Sequence, residues 1–79
     1  MSIYKSCDIL FKDGTTDTVD PIYEEDITEE KLEDGTPFLR VPNPGHAYEY
    51  PLELVAGYNI IEVNDEDDTR TVIYTKRYE

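Results

Sequence analysis

Tryptophan is absent from this chain, and cysteine, histidine and methionine occur once each. The lone Cys7 excludes an internal disulfide, so no covalent framework supports the fold. The lone His46 follows Pro44-Gly45 in a loop and has no Ser, Cys or second His at a recognisable spacing, which leaves acid–base chemistry without a partner. The four glycines each stand in a turn setting, and none belongs to a phosphate-cradling loop. No apolar run approaches the ~20 residues of a membrane span. The opening stretch MSIYKSCDIL lacks a charged n-region followed by an apolar segment, so no secretory signal is expected. These shortages predict a non-enzymatic cytoplasmic protein with no cofactor and no metal.

Basic residues are scarce too, with seven Lys and Arg against nineteen Asp and Glu, for a net charge of −12. Duplex DNA carries about one negative charge per 1.7 Å of axis, so a body this acidic is repelled by nucleic acid and by anionic membrane surfaces. The natural partners are cationic, above all a basic protein surface such as that of a nucleic-acid-binding enzyme.

What the chain does have is enough apolar bulk for one small core. Nineteen of the 79 residues are Val, Ile, Leu or Phe, above the level at which disorder becomes the default. Seven tyrosines add amphipathic volume. A single domain over residues 1–79 is expected, with a thin core that a second copy or a partner would help.

Period-two patterning predicts a mainly β fold. Five to six short strands would form a small antiparallel sheet, barrel- or sandwich-like, with room for one short helix. Ser2 to Lys12 reads as the first strand, with Ile3, Cys7, Ile9 and Phe11 on one face and Tyr4, Ser6, Asp8 and Lys12 on the other. Cys7 is then expected as a small buried hydrophobe. Asp13-Gly14 follows as a two-residue type I′ turn. Thr15 to Tyr23 is the return strand, and Pro21, lacking an N–H, marks it as an edge. Glu24 to Gly35 has two readings. Asp26 with Glu29 resembles a helix start, giving one or two turns over Ile27 to Glu33. A second hairpin centred on Asp34-Gly35 competes.

Pro37 to Val41 is expected as a strand and Pro42 to Gly45 as a loop. From His46 to Val55, Tyr48, Tyr50, Leu52 and Leu54 alternate with Glu49 and Glu53, and Ala56-Gly57 permits a bend. Tyr58 to Val63 and Thr69 to Tyr78 would pair through the acidic tip Asn64 to Asp68. That tip lacks the central glycine and closing Glu of a calcium loop, so a solvated turn is expected there. The core is predicted to contain Ile9, Phe11, Leu52, Leu54, Ile60 and Val72. Tyr48 and Tyr50 are expected to face it, and Tyr58 and Tyr78 to be exposed.

Charge is unevenly placed. Asp17 to Asp34 holds nine acids against Lys31 alone, a local −8, while Thr69 to Glu79 carries Arg70, Lys76 and Arg77 against Glu79. A net charge of magnitude about 2–8 already keeps a small domain soluble, so the excess points to use. A ten-residue strand spans about 34 Å, and duplex DNA turns about ten phosphates to one side over that length. Nine acids on neighbouring elements approach that density. Glu24, Glu25, Asp26, Glu29, Glu30, Glu33 and Asp34 are therefore the candidate partner-binding residues.

In size, charge and strand content the chain resembles the small acidic inhibitors and nucleic-acid mimics of bacteriophages and other mobile elements, some of which block restriction or CRISPR enzymes. The resemblance implies an inhibitor occupying a basic groove. The alternative is an assembly protein that forms a homo-oligomer through its sheet edges.

Overall fold

In the computed structural model, which describes residues 3–78, the chain forms seven strands. They are β1 (Ile3–Phe11), β2 (Thr16–Ile22), β3 (Thr28–Lys31), β4 (Pro37–Asn43), β5 (His46–Pro51), β6 (Val55–Asn64) and β7 (Thr69–Arg77). Two antiparallel sheets result, a four-stranded one in the order β2-β1-β6-β7 and a three-stranded one in the order β3-β4-β5. The mainly β reading holds, with more strands than the five or six expected. Ser2 and Glu79 lie outside the described residues. No helix among the described residues is long and apolar enough to cross a membrane.

The expected helix over Ile27 to Glu33 does not form. A single 3-10 turn, Glu24–Asp26, precedes that span, and the span itself becomes β3 and the hairpin at Asp34-Gly35, the competing reading. Leu32 N–H donates to the Thr36 carbonyl at 2.9 Å, and Gly35 N–H to the Leu32 carbonyl at 2.9 Å. Gly35 takes φ +90°, the left-handed region that glycine enters without steric cost.

The first turn is built the same way, which corrects the type I′ expectation. Phe11 N–H donates to Thr15 and Gly14 N–H to Phe11, with φ +92° at Gly14 alone. A type I′ turn needs positive φ at both central residues. Asp13 has no reason to adopt it, because its carboxylate already accepts the Thr15 amide at 2.9 Å and hydroxyl at 2.6 Å. The β6–β7 turn repeats the pattern without glycine. Asp68 sits at φ +57°, and Asp67 accepts the Thr69 amide and hydroxyl. Three hairpins thus close on an Asp, a residue in the left-handed region, and a Thr.

β4 runs two residues further than expected, through Pro42 and Asn43. β3 pairs with β4 only as far as Arg40, so the missing Pro42 N–H costs no ladder bond on that side. The loop shrinks to Pro44-Gly45, held by Asn43 Oδ1, which accepts the Gly45 and His46 amides at 3.0 and 2.8 Å.

The core joins the sheets. Cys7, Ile9, Val19, Ile22, Val55 and Ile60 of the larger sheet meet Leu39, Val41 and Tyr50 of the smaller, with Phe11, Ile27, Leu52, Tyr58 and Tyr78 packed around them. Of the predicted core, Ile9 and Ile60 are fully buried, and Phe11 and Leu52 are half-buried. Leu54 and Val72 are not core; they are 53% and 56% exposed. Pro51 ends β5 and a 3-10 turn follows over Leu52–Leu54, so the period of two stops before Leu54.

Val72 is turned over by a bulge. Ile60 pairs with Tyr74 but Ile61 pairs with Val72, which makes Ile73 an extra residue in β7. Val72 therefore shares the outer face with Ile61, whereas Tyr74 shares the core face with Ile60. Further bulges fall at Asp20-Pro21 in β2 and at Ala56 in β6, where the bend was expected. β2 is an outer strand, as Pro21 implied, and the Asp20-Pro21 bond is cis.

The outer face of the larger sheet buries a smaller set, Ser6, Ile61 and Val63. Among the described residues, the Ser6 hydroxyl there has no hydrogen-bond partner.

Candidate functional site

The acidic segment lies where the chain passes from one sheet to the other. β2 brings in Asp17 and Asp20, the turn Glu24–Asp26 makes the crossing, and β3 and its hairpin carry Glu29, Glu30, Glu33 and Asp34. Neither the turn nor β3 buries a residue of its own, though Ile27 between them packs against the core. Short-range backbone bonds hold the turn instead, from Asp26 N–H to Tyr23 O at 2.9 Å and from Ile27 N–H to Glu24 O at 3.3 Å.

Several of these acids hold the fold closed. Asp17 accepts a 2.8 Å hydrogen bond from the Tyr50 hydroxyl, joining β2 to β5 in the other sheet. Burial and this bond push the Tyr50 phenol upward. Glu29 accepts from the Tyr78 hydroxyl at 2.7 Å, joining β3 to the residue that follows β7. Burial and then this bond push the Tyr78 phenol upward as well. Glu24 lies 3.0 Å from Lys5 Nζ, and that hydrogen-bonded contact raises the Lys5 pKa. Asp34 accepts the Thr36 amide at 2.9 Å, and the Thr36 hydroxyl and amide hold its carboxyl below the usual range.

Of the seven candidate residues, Glu24, Glu29 and Asp34 therefore act within the molecule. Glu24, Glu25 and Asp26 stand together in one turn. Glu29 and Glu30 alternate along β3, so they face opposite sides of the sheet. Glu30 accepts the Thr28 hydroxyl at 2.7 Å on the side away from Tyr78. Glu33 and Asp34 lie beyond the far end of β3, on the order of 13 Å along the strand. The seven form a band along an outer strand rather than one flat face. All of the seven but Glu24 are exposed.

The tyrosines depart in part from their expected places. Tyr50 is buried, but Tyr48 is 37% exposed, its ring edge-on to His46 at 4.6 Å near the open end of β5. Tyr58 and Tyr78, expected to be exposed, are half-buried against the core. Burial, with Tyr74 beside it, pushes the Tyr58 phenol up to about 12. Pairing of tyrosine hydroxyls with acids distant in sequence had no local signal. The repeated Asp-Gly-Thr at residues 13–15 and 34–36 was a signal in plain sight.

Cys7 is fully buried, and desolvation pushes its thiol up to about 12. The thiolate is the nucleophile, so this sulfur is inert in the folded chain. Among the described residues, no group of three or more His, Cys, Asp or Glu is placed to hold a metal ion. In the acidic tip, Asn64 Oδ1 accepts the Glu66 amide, and Asp67 is engaged with Thr69. Comparison with family models, curated proteins and solved structures gives no match.

Proposed function

We propose that this chain is a small non-enzymatic binding protein whose acids occupy the basic groove of a partner, as an inhibitor or nucleic-acid mimic of the phage type. One observation carries the reading: every described acid except Asp8 and Glu24 is exposed, on a body 45 Å long and 26 by 17 Å across. A net −12 over 45 Å is one charge per about 4 Å, with or without Glu79. A single nucleic-acid strand carries one per about 3.4 Å, and a duplex twice as many. The charge density therefore favours a groove that takes a single strand or one side of a duplex. Steered, salt-sensitive association would follow from this charge.

The test is affinity capture from host extract, with competition by single-stranded and duplex DNA for the captured partner. Reversing Glu25, Asp26, Glu30 and Glu33 to Lys should abolish capture at low salt and leave the circular dichroism spectrum unchanged. Glu29 is excluded from the reversal because Tyr78 depends on it. Capture that survives the reversal, or that DNA does not compete away, rejects the reading.

A second reading, self-assembly through sheet edges, is favoured by a different surface. β7 is an outer strand with Val72, Ile73 and Tyr74 at 56%, 43% and 44% exposure.

A further inference from the structure

We infer that β7 pairs antiparallel with β7 of a second copy of this chain, in the single register that centres the two-fold axis between Val72 and Ile73. The inference rests on the second reading above and is independent of the acidic band. An outer strand presents unpaired N–H and C=O groups along its free side, and proteins blunt such edges with short strands, charges or cover. β7 is nine residues long, and all of it is exposed except Lys76, which is half-buried. It also carries Arg70, Lys76 and Arg77 with no acid, in a chain of net −12.

Symmetry and the bulge select the register. A two-fold axis normal to a sheet keeps each residue on its own face, so paired residues must share a face. In a regular strand this allows only registers whose paired residue numbers sum to an even value. The extra residue Ile73 changes that. Arg70, Val72, Thr75 and Arg77 lie on the outer face, and Thr69, Thr71, Tyr74 and Lys76 on the core face. Even sums now place outer residues against core-face ones wherever a pair spans Ile73.

Two neighbouring odd registers keep the faces matched across the strand. One sets Arg70 directly against Arg77 of the second copy, a like-charge pair. The other sets Thr71 against Tyr74, Arg70 against Thr75, Thr69 against Lys76, and Asp68 against Arg77. It opposes no like charges and places the acid of the hairpin turn beside the last arginine of the strand. The bulge that exposes Val72 is thus the feature that makes this pairing self-consistent.

The acidic band does not forbid the contact. The band meets β7 only past its end, where Glu29 accepts from Tyr78 at 2.7 Å, and the acids of β2 lie three strands away, about 14 Å at the usual spacing and beyond the screening length of about 8 Å in physiological salt. A single added strand pair falls at the small end of stable interfaces, so a weak, concentration-dependent dimer is expected.

Sedimentation of the full chain from about 10 μM to about 1 mM spans the affinities such a contact gives. The mass should rise from monomer to dimer over that range. Ile73→Lys should weaken the dimer at least tenfold, with the circular dichroism spectrum unchanged because Ile73 is surface-exposed. Register is read by oxidising a mixture of Thr71→Cys and Tyr74→Cys chains, whose own Cys7 is buried. The mixed cross-link should exceed either homotypic one about tenfold. Reversing Glu25, Asp26, Glu30 and Glu33 should leave the dimer in place. A monomer throughout the range overturns both the pairing and the assembly reading. A dimer that tolerates Ile73→Lys, or that cross-links equally well between identical chains, overturns the pairing alone.

Discussion

Two outer strands, β3 and β7, are entered or left by the same kind of turn and are otherwise opposites. β3 has four residues, two of them Glu, and takes part in closing the molecule through Glu29 and Tyr78. β7 has nine residues, three of them basic, and its side-chain contacts stay close to its own hairpin. Thr75 donates to Asn59, Tyr74 lies against Tyr58, and Lys76 sits over the Tyr78 ring at 5.6 Å. Negative charge has been recruited where the chain crosses between sheets, whereas positive charge has gathered on the strand that nothing covers. Surface charge in this protein is therefore of two kinds, tied across the sheets at Glu29 of β3 and kept within its own hairpin or exposed on β7.

The sharpest way to break this contrast is to detach β7. A Cβ at Gly57 would lie 2.3 Å from the Lys76 carbonyl oxygen, a backbone atom that cannot move without shifting the strand. Gly57→Ala should cost about 3 kcal/mol or more in chemical denaturation, at the upper end of overpacking effects. On the other side, Leu39 of β4 is fully buried between the sheets. Leu39→Ala should cost about 2–5 kcal/mol by the same measurement.

Alkali should open the junction between the sheets next. Tyr58 and Cys7 are both raised to about 12 in the folded chain, against about 10 and about 8.5 when unfolded. Raised groups contribute stability that is complete below the unfolded pKa and disappears as pH climbs through the folded one. Stability should therefore begin to fall above about pH 8.5, steepen above about pH 10 and be lost near 12. A flat profile to pH 11 in thermal melts would contradict the buried tyrosines.

Tyr50→Phe should cost about 0.5–1.5 kcal/mol, since it removes the bond to Asp17 and leaves an exposed carboxylate that water satisfies. Tyr78→Phe should cost less, because its bond to Glu29 lies nearer solvent. Equal losses would erase the distinction between the two ties. Smallest of all, Asp68→Gly should stabilise by up to about 1 kcal/mol, relieving the one non-glycine residue at positive φ among those described.

Much of the fold could be read locally, and what could not be read was non-local. Asp13-Gly14 and the run Asn64 to Asp68 marked hairpins because turn chemistry resides in adjacent residues. Pro21 marked an outer strand because a missing N–H is a property of one residue. Val72 was misplaced because a single inserted residue, Ile73, inverts the alternation, and nothing in the string TRTVIYTKR announces it. β3 was ambiguous because a strand that buries nothing has no hydrophobic period, and the capping pattern at Asp26 suits a single 3-10 turn as well as a helix. The double role of the acids was invisible for a related reason. Asp17 and Tyr50, or Glu29 and Tyr78, meet only once two sheets are laid together.

Cys7 has a practical property. It is the sole thiol, fully buried at the centre of the core, and its ionisation is suppressed. In the native protein the thiol cannot attack a disulfide-forming reagent until the core around it opens. The labelling rate at fixed pH then counts opening events one molecule at a time. The chain carries its own chemical stopwatch, with no dye or engineered probe, and every substitution discussed above that adds no second thiol can be timed against it.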